Sequence, residues 1–217
     1  MKNLILKVLK KIFHLQINKI VKVIEDNRGN SYSVNVKRYI DSGNIRIGNN
    51  CRIDGDLIYP AYALKNGYIN LEIGDNCHLM GLIDLYSSTA KVTIGSGVFI
   101  GPKSILFCRK AITIGNDVMI SWGCTLIDTN AHSLNSSERK SDVIDWKKGA
   151  EYKNWDVAET KPIHIKDKSW IGFNSIIAKG VILGEGTILA SGSVLSKSTE
   201  SYTILGGNPA VFIKNTE

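Results

Sequence analysis

A period of six residues runs through most of this chain and constrains its fold more than any other feature. Steps of six from residue 165 meet an aliphatic residue every time: Ile165, Ile171, Ile177, Leu183, Leu189 and Leu195. Four residues after each of the first five stands a small or β-branched residue: Ser169, Ser175, Val181, Thr187 and Ser193. The phrase also occurs earlier, as "IGNNCRI" from Ile47, "IGDNCHL" from Ile73, "IGSGVFIGPKSI" from Ile94 and "IGNDVMISWGCTL" from Ile114. One repeat unit therefore builds most of the chain.

A six-residue period fits neither an amphipathic helix nor a simple alternating strand. It fits short strands joined by turns, in which a glycine or asparagine after the aliphatic residue permits the corner conformations. If each strand buries one aliphatic side chain, successive coils stack these side chains in columns, as in the hexapeptide parallel β-helix. A β-sandwich, the alternative, needs about 8 to 12 residues per strand and turn. We therefore predict an all-β fold, a parallel β-helix, over residues 27–217.

The repeat stops after Asp128 and does not resume for more than thirty residues. His132 lies at the break, and residues 133–161 form a predicted loop excursion. Long ordered connections in compact domains are usually functional. This one contains Trp146, Tyr152 and Trp155 among polar residues. Aromatic rings beside hydrogen-bonding groups suit a sugar; the alternative is that these rings anchor the loop to the β-helix.

Residues 1–26 break the period, and we predict that they form a separate helical segment. In "MKNLILKVLKKIFHLQINKIVKVI" the apolar residues fall on one side of a helix and the lysines mostly on the other. Two roles fit such a helix. It caps the open end of the β-helix, as terminal units must, or it lies on an anionic membrane surface.

Composition narrows the classes of function. The formal net charge of +7 comes largely from residues 1–24, which hold six lysines and no acid, whereas the remainder holds 21 basic and 20 acidic groups. Because a nucleic-acid surface needs basic residues spread over a folded face, we expect no nucleic-acid partner. No apolar run approaches the roughly 20 residues of a spanning helix, and no cleavage site follows an apolar N-terminal stretch. The expected location is the cytoplasm, with peripheral contact at the inner membrane face through residues 1–24 as the alternative.

The cysteines argue against disulfides and against metal binding. Cys51, Cys77, Cys108 and Cys124 form no C-x-x-C pair, and three of them occupy the small-residue position of the repeat. We therefore expect buried free thiols and no metal requirement.

Several segments resemble a known family: the hexads, "DTNAHSLNSSER" before the loop, "KPIHIKDKSWIGFNSIIAKGVILGEGTILASGSVLSKS" after it, and the ending "ILGGNPAVFIK". Together they resemble the left-handed β-helix acyltransferases from about Ile47 to Lys214. Among these, the chain is similar to the sugar O-acetyltransferases, which include galactoside and maltose acetyltransferases and the enzymes that decorate capsule or O-antigen polysaccharides. The resemblance implies a left-handed coil, although the general rule for parallel crossovers favours the opposite hand. It also implies acetyl-CoA as the donor, a carbohydrate acceptor, and a homotrimer with its active sites between subunits.

By this resemblance His132 is the general base that takes a proton from a sugar hydroxyl while that oxygen attacks the thioester. A group with an ordinary pKa of about 6.5 suits this task at neutral pH. Asp128 or Glu138 is expected to orient the imidazole, unless a backbone carbonyl does so, and Trp146 and Trp155 to contact the acceptor. The loop contains no thiol and the chain no G-x-S-x-G, so direct transfer is favoured over an acyl-enzyme.

The resemblance places the donor on the last coils. The implied donor-binding residues are Trp170, Gly172, Ser191, Ser196, Lys197 and Lys214. The first two border the cleft, a backbone amide near Ser191 meets the pantetheine or thioester, Ser196 and Lys197 contact the pantetheine arm or nucleotide, and Lys214 meets the phosphates. Departures from the family pattern are Phe173 after W-I-G, Ser191 in place of alanine, and Val211 in place of lysine or arginine.

Three other functions compete with sugar O-acetylation. An N-acyltransferase acting on a nucleotide-linked amino sugar would use the same donor site. A zinc hydratase needs three histidine ligands around one metal, whereas the nearest histidine pair, His132 and His164, is 32 residues apart. A non-catalytic scaffold would neither hydrolyse acetyl-CoA nor transfer from it.

Overall fold

Each hexad folds as a short strand followed by a corner, and the computed structural model describes this arrangement for residues 23–58 and 67–216. The strands of the first half are β1 (Val23–Glu25), β2 (Ser31–Ser33), β3 (Ile45–Ile47), β4 (Arg52–Ile53), β5 (Leu57–Ile58), β6 (Leu71–Ile73), β7 (His78–Leu79), β8 (Leu82–Leu85), β9 (Lys91–Ile94), β10 (Phe99–Ile100) and β11 (Ile105–Cys108). They are followed by β12 (Ala111–Ile114), β13 (Met119–Ile120), β14 (Thr125–Ile127), β15 (Ile163–Ile165), β16 (Trp170–Ile171), β17 (Ile176–Ile177), β18 (Ile182–Leu183), β19 (Ile188–Leu189), β20 (Val194–Leu195), β21 (Thr203–Gly207) and β22 (Ala210–Asn215). The helices are α1 (Val34–Asp41), α2 (Ser136–Arg139) and α3 (Asp142–Lys148), with a 3-10 turn at Ala150–Tyr152.

The strands stack in three sheets, which form the three faces of a prism. The first sheet has the order β1-β2-β4-β7-β10-β13-β16-β19-β21-β22, the second β5-β8-β11-β14-β17-β20, and the third β3-β6-β9-β12-β15-β18. Between β3 and β20, strands that follow one another in the chain belong to different sheets, and each pairs in parallel with the equivalent strands of the neighbouring coils. At the two ends of the first sheet, β1–β2 and β21–β22 pair antiparallel. This is the predicted all-β fold, a left-handed parallel β-helix, and the prediction is confirmed.

The aliphatic columns fill the core as the period predicts. Ile165, Ile171 and Ile177, one on each face, are fully buried. The small positions are buried too, and their hydroxyls are satisfied: Ser169 Oγ donates to Gly184 O at 2.9 Å and Ser175 Oγ to Ala190 O at 3.1 Å. These bonds join one coil to the next, so a polar residue is tolerated inside the prism because it binds a backbone carbonyl there. All four cysteines are buried free thiols, as predicted.

The corners explain the recurring Asn and Gly of the repeat. At the corner between the third and first sheets, the same turn position has a positive φ in successive coils, at Asn50, Asn76, Gly97 and Asp117, with φ between 54° and 70°. Asparagine, aspartate and glycine tolerate this left-handed conformation better than other residues. The backbone can therefore turn sharply at each of these corners without strain.

Most of the predicted N-terminal helix, residues 1–22, lies outside the described residues. Its end is corrected, because Val23–Glu25 form β1, which pairs antiparallel with β2, and Ile24 packs against the core. Helix α1, which the hexad pattern does not predict, begins at the N-cap Ser33 and buries Val36 and Tyr39 against the first strands. In the part of the chain that the structure describes, every helix is too short or too polar to span a bilayer.

Candidate active site

The excursion leaves the β-helix at the corner between the second and third sheets and is closed at its base. Thr129 and Thr160 form an antiparallel bridge. Asn130 N donates to Glu159 O, and Lys161 N to Asp128 O, both at 2.9 Å. Because both ends of the predicted loop 133–161 are joined in this way, helices α2 and α3 are held as a small lobe against one corner of the prism.

His132 lies just inside this closed base, and its Nδ1 is hydrogen-bonded to the carboxylate of Asp142, the first residue of α3. The Asp142 side chain is 6% exposed, whereas that of His132 is 45% exposed. A carboxylate accepts the proton of Nδ1–H, so the tautomer assigned from this partner leaves the lone pair on Nε2. The pair therefore presents a proton acceptor to solvent and keeps its orienting group buried.

Lys153 completes the cluster from behind. Its side chain is fully buried, and its Nζ lies 2.6 Å from Asp142 Oδ2 and 3.4 Å from His132 Nδ1. Since Nδ1–H and the ammonium both donate to the same carboxylate, the approach of Nζ to Nδ1 brings two donors together. Hydrogen bonds from His132 and then from Lys153 outweigh burial and hold the pKa of Asp142 below its usual value. Asp142 is therefore ionised at neutral pH.

Two residues expected to orient the imidazole do other work. The buried carboxylate of Asp128 accepts backbone N–H groups of Arg109, Lys110 and Ala111 at 2.7 to 2.9 Å, which fixes the turn between β11 and β12. Glu138 accepts from Ser133 Oγ. Asp142 performs the orienting role instead. It lies further along the chain than either candidate and reaches His132 only because the excursion folds back.

The aromatic residues of the excursion divide into an anchor and an exposed pair. Trp155 is 7% exposed. The Arg109 guanidinium lies 4.9 Å and the Lys153 ammonium 5.3 Å from its ring centroid, and the Tyr86 ring is 5.2 Å away. The Trp155 ring therefore anchors the lobe, which is the alternative role given in the sequence analysis, and its expected contact with the acceptor stays a prediction. Trp146, 38% exposed, and Tyr152, which is exposed, keep surface that a ligand can reach.

The residues expected to bind the donor lie at two different corners. Trp170 is on β16, and Gly172 and Ser191 are at the corner between the first and second sheets. Ser196 and Lys197 follow β20 at the corner between the second and third sheets, which is also the corner of His132. The coil of Trp170 is the one next to the coil of His132, and Ser191 is one coil further, closer than the several coils expected from the sequence. Lys214 is exposed on β22.

Gly172 lies at a corner where two coils come close together, as other corner glycines of the repeat do. A Cβ at this position would lie 2.6 Å from the Ser191 nitrogen and 2.8 Å from Leu189 O, so no other residue fits without displacing backbone. The Ser191 amide donates no hydrogen bond to any described residue. This close approach thus coincides with an N–H group, on an exposed residue, that has no acceptor among the described residues.

Phe173, one of the departures from the family pattern, has a partner that the sequence did not reveal. Its ring stacks on that of Trp122 from the preceding coil, with centroids 4.9 Å apart and planes 1° from parallel. Both rings are exposed. Trp170 Nε1 donates to Ser121 Oγ at 3.2 Å beside them. An aromatic surface therefore continues the edge on which Gly172 lies.

Two cavities lie near these corners. One of about 290 Å³ adjoins the excursion and is lined by Arg109, Lys110, Trp155, Asp156, Ala158 and Thr160. Another of about 580 Å³ is distant from His132, at the corner between the first and second sheets in the early coils, where Asp54, Asp56 and Lys103 line it. Within the described ranges, no cluster of three or more His, Cys, Asp or Glu side chains is placed to hold a metal ion.

Comparison with known proteins identifies the repeat. A family model described as "Bacterial transferase hexapeptide (six repeats)" matches residues 162–197, and one described as "Hexapeptide repeat of succinyl-transferase" matches residues 91–127. The chain carries the bacterial transferase hexapeptide repeat. The two matches flank the excursion, and the resemblance to hexapeptide-repeat acyltransferases is confirmed.

Relatives of this hexapeptide-repeat protein act on more than one kind of acceptor. Polysialic acid O-acetyltransferase from Neisseria meningitidis is 28% identical over 141 residues, which cover 64% of this chain and 57% of that protein. The chain thus spans little more than half the length of this curated relative. AntD, an N-acyltransferase from Bacillus cereus, has the same fold: its complex with dTDP and 3-hydroxybutyryl-CoA superposes with a TM-score of 0.61 at 21% identity, covering 86% of this chain and 89% of AntD. A point mutant of AntD with dTDP-4-amino-4,6-dideoxyglucose and coenzyme A gives a TM-score of 0.61 at 20% identity, covering 86% and 90%.

Proposed function

We propose that this protein transfers an acetyl group from acetyl-CoA to a hydroxyl of a sugar in a surface polysaccharide or its precursor. The observation that carries this proposal is the His132–Asp142 pair, in which a buried carboxylate orients a half-exposed imidazole. Similarity to a polysialic acid O-acetyltransferase supports a sugar hydroxyl as the acceptor.

The pair performs the transfer without a covalent enzyme intermediate. Nε2 of His132 takes the proton of the sugar hydroxyl while the oxygen bonds to the thioester carbonyl carbon. The tetrahedral adduct then expels the coenzyme A sulfur, which receives the proton from the imidazolium, so that acetyl ester and free thiol are formed. Asp142 stabilises the imidazolium between these two steps, and such general-base catalysis contributes about 100- to 10,000-fold to the rate.

The donor is bound along the corner of Gly172 and Ser191, where the free Ser191 amide meets the thioester or pantetheine. Trp170 borders this cleft, and Lys214 is an exposed cation on the same face for the phosphates. His132 lies at another corner of the same chain, together with Ser196 and Lys197. A cleft that includes both corners is formed when two chains meet, so we propose a homotrimer whose active sites lie between subunits.

The acceptor binds beside the excursion. Trp146 and Tyr152 offer exposed aromatic surface for the apolar face of a sugar. The cavity lined by Arg109 and Lys110 adjoins the same lobe and adds hydrogen-bond donors. Both features suit glycans as a class of acceptor rather than one particular sugar.

An N-acyltransferase acting on a nucleotide-linked amino sugar is the alternative, and the AntD structures show that the fold also supports this chemistry. A free amine is a stronger nucleophile than a hydroxyl and attacks the thioester before it loses a proton, so its acylation depends less on a base. Parallel assays with an amino sugar nucleotide and its hydroxyl analogue distinguish the two functions. If the amine is acylated faster than the hydroxyl analogue, the N-acyltransferase function replaces the O-acetyltransferase function that we propose.

We also propose that the protein works in the cytoplasm. The lysine-rich residues 1–24 would then contact the inner membrane face. Co-sedimentation of the full chain with vesicles of anionic and of neutral lipid tests this contact, and equal recovery in both pellets would contradict it.

The experiment that tests the function measures coenzyme A release from acetyl-CoA with a panel of acidic and neutral glycans. Wild type should transfer acetyl to a hydroxyl, and His132→Ala should lose at least about 100-fold in turnover, with unchanged donor affinity and melting temperature. His164→Ala is the matched control, since the His164 side chain lies outside the core on β15, after the excursion, and this variant should retain activity. Normal turnover in His132→Ala would show that His132 is not the general base.

A further inference from the structure

Lys153 is a fully buried lysine that the transfer mechanism does not use. Its side chain is 0% exposed, and its ammonium has two close polar neighbours in the described part of the chain, Asp142 Oδ2 and His132 Nδ1. Burying an ammonium is costly unless it is paired. An anchor for the excursion would not require a charge, because Trp155 already packs there. The presence of a charged ammonium at this buried position must therefore be explained by the groups that surround it.

The ammonium balances the field at the imidazole. Asp142, from the start of α3, presents a negative charge to Nδ1, and Lys153, which follows the 3-10 turn, presents a positive charge at 3.4 Å from the same atom. Glu138 and Arg139 of α2 both bind Ser133, the residue after His132, the first at its hydroxyl and the second at its carbonyl. Their charges are opposite and offset each other. The local balance is therefore set by Asp142 and Lys153.

We propose that Lys153 is a positioning residue that fixes the Asp142 carboxylate and offsets the negative charge that this carboxylate presents to the His132 imidazole. The inference rests on the proposed function, because it concerns the base of that reaction. Without the ammonium, the carboxylate would stabilise the imidazolium unopposed, and the ring would retain its proton to higher pH. A protonated ring cannot accept the proton of the acceptor.

Two variants that act in opposite directions test this role. Lys153→Met should move the acid side of the pH–rate profile up by about one pH unit or more, with roughly tenfold lower turnover at pH 7 that recovers at alkaline pH. Asp142→Asn removes the negative charge that opposes the Lys153 ammonium. The acid side of the pH–rate profile should therefore move to lower pH. Lys153→Gln keeps a donor for Asp142 without the charge and should behave as Lys153→Met does. A residue that only supports the fold would lower turnover equally at every pH.

Lys148→Met is the matched control, because Lys148 is an exposed lysine of the same excursion that pairs with Asp145 at 3.5 Å. Its profile should overlay that of wild type. Melting temperatures show whether each variant folds. If Lys153→Met does not fold, Lys153→Gln is used to test the proposal instead.

NMR titration of the His132 ring provides a readout that needs no substrate. The titration midpoint should rise in Lys153→Met and fall in Asp142→Asn relative to wild type. If both midpoints stay at the wild-type value, the role of Lys153 is overturned even when the wild-type enzyme is active. If the midpoints move as expected but wild type acetylates no sugar, the charge balance stands and the proposed function fails.

Discussion

At the scale of single residues, the proposed chemistry depends on a contact between His132 and a carboxylate ten residues further along the chain. The imidazole is useful as a base only in the tautomer with a free Nε2, and Asp142 selects it. Because Asp142 is buried and accepts from both His132 and Lys153, its orientation does not depend on solvent.

Asp142→Asn should reduce turnover by roughly 10- to 100-fold at the optimal pH, less than the loss in His132→Ala. The amide offers both a donor and an acceptor to Nδ1, so the ring is no longer held in one tautomer. Steady-state kinetics with saturating acetyl-CoA measure the effect. Asp145→Asn, on the same helix, should be near normal, because in the described part of the chain the Asp145 carboxylate pairs with the exposed Lys148 at 3.5 Å. Equal losses in the two variants would show that α3 is merely disturbed.

The sequence made His132 a candidate base because its segment and its position at the break of the repeat could be read directly. It did not identify Asp142 or Lys153, since their roles arise from the fold of the excursion. Asp128 and Glu138 were chosen for their closeness to His132 in the chain, and closeness in sequence does not determine side-chain contact inside an irregular lobe. Burial of a lysine among polar residues also leaves no pattern in a sequence.

At the scale of elements, the corner that carries the excursion is fixed by Asp128. Its carboxylate accepts three backbone N–H groups of the turn between β11 and β12, on the coil before its own. At the point where the chain leaves the prism, the Asp128 carboxylate thus accepts the hydrogen bonds that a neighbouring strand would otherwise accept. The β-helix remains continuous although the repeat is interrupted.

Asp128→Asn should lower the free energy of unfolding by about 2 to 4 kcal/mol, because the amide nitrogen faces backbone donors and leaves at least one unsatisfied. Urea denaturation measures this loss. Asp117→Asn, an exposed corner residue whose left-handed φ of 55° suits asparagine, should be close to neutral. A loss in Asp128→Asn no larger than in this control would mean that the three bonds contribute little.

Elements were predictable where the repeat is strict and not where it is interrupted. The columns from Ile165 to Leu195 are buried as expected, because the period of six leaves one arrangement for the aliphatic side chains. Helix α1 is a single short insertion between strands, so no period predicts it. The end of the N-terminal segment was read as helix, yet Val23–Glu25 gain more from pairing with Ser31–Ser33 in a sheet.

At the scale of the whole molecule, one chain exposes apolar surface on each face of the prism. Met119 and Trp170 are adjacent and exposed on the first sheet, Ile176 is exposed on the second, and Ile182 on the third. Closed cyclic association is the common way to cover repeated surface of this kind. In the proposed trimer, the corner of Ser191 on one chain would lie against the corner of His132 on another, as the proposed site requires.

Mixing experiments determine whether the site is shared. His132→Ala and a variant blocked at the donor cleft, Ser191→Trp, should each be inactive alone and trimeric by mass. After co-refolding in equal amounts, an interface is active when its His132 comes from the Ser191→Trp chain and its Ser191 comes from the His132→Ala chain. Each condition is met in half of the interfaces, so about a quarter of wild-type activity should return.

The double variant His132→Ala/Ser191→Trp, co-refolded with an equal amount of wild type, is the matched control. A shared site leaves about a quarter of the interfaces intact in this mixture too, whereas a site within one chain leaves about half of the subunits intact and gives no recovery in the first mixture. The two arrangements therefore predict different pairs of values. Equal recovery in both mixtures supports a cleft with one wall from each chain, and half-activity in the second mixture with none in the first would place His132 and Ser191 in the same subunit's site.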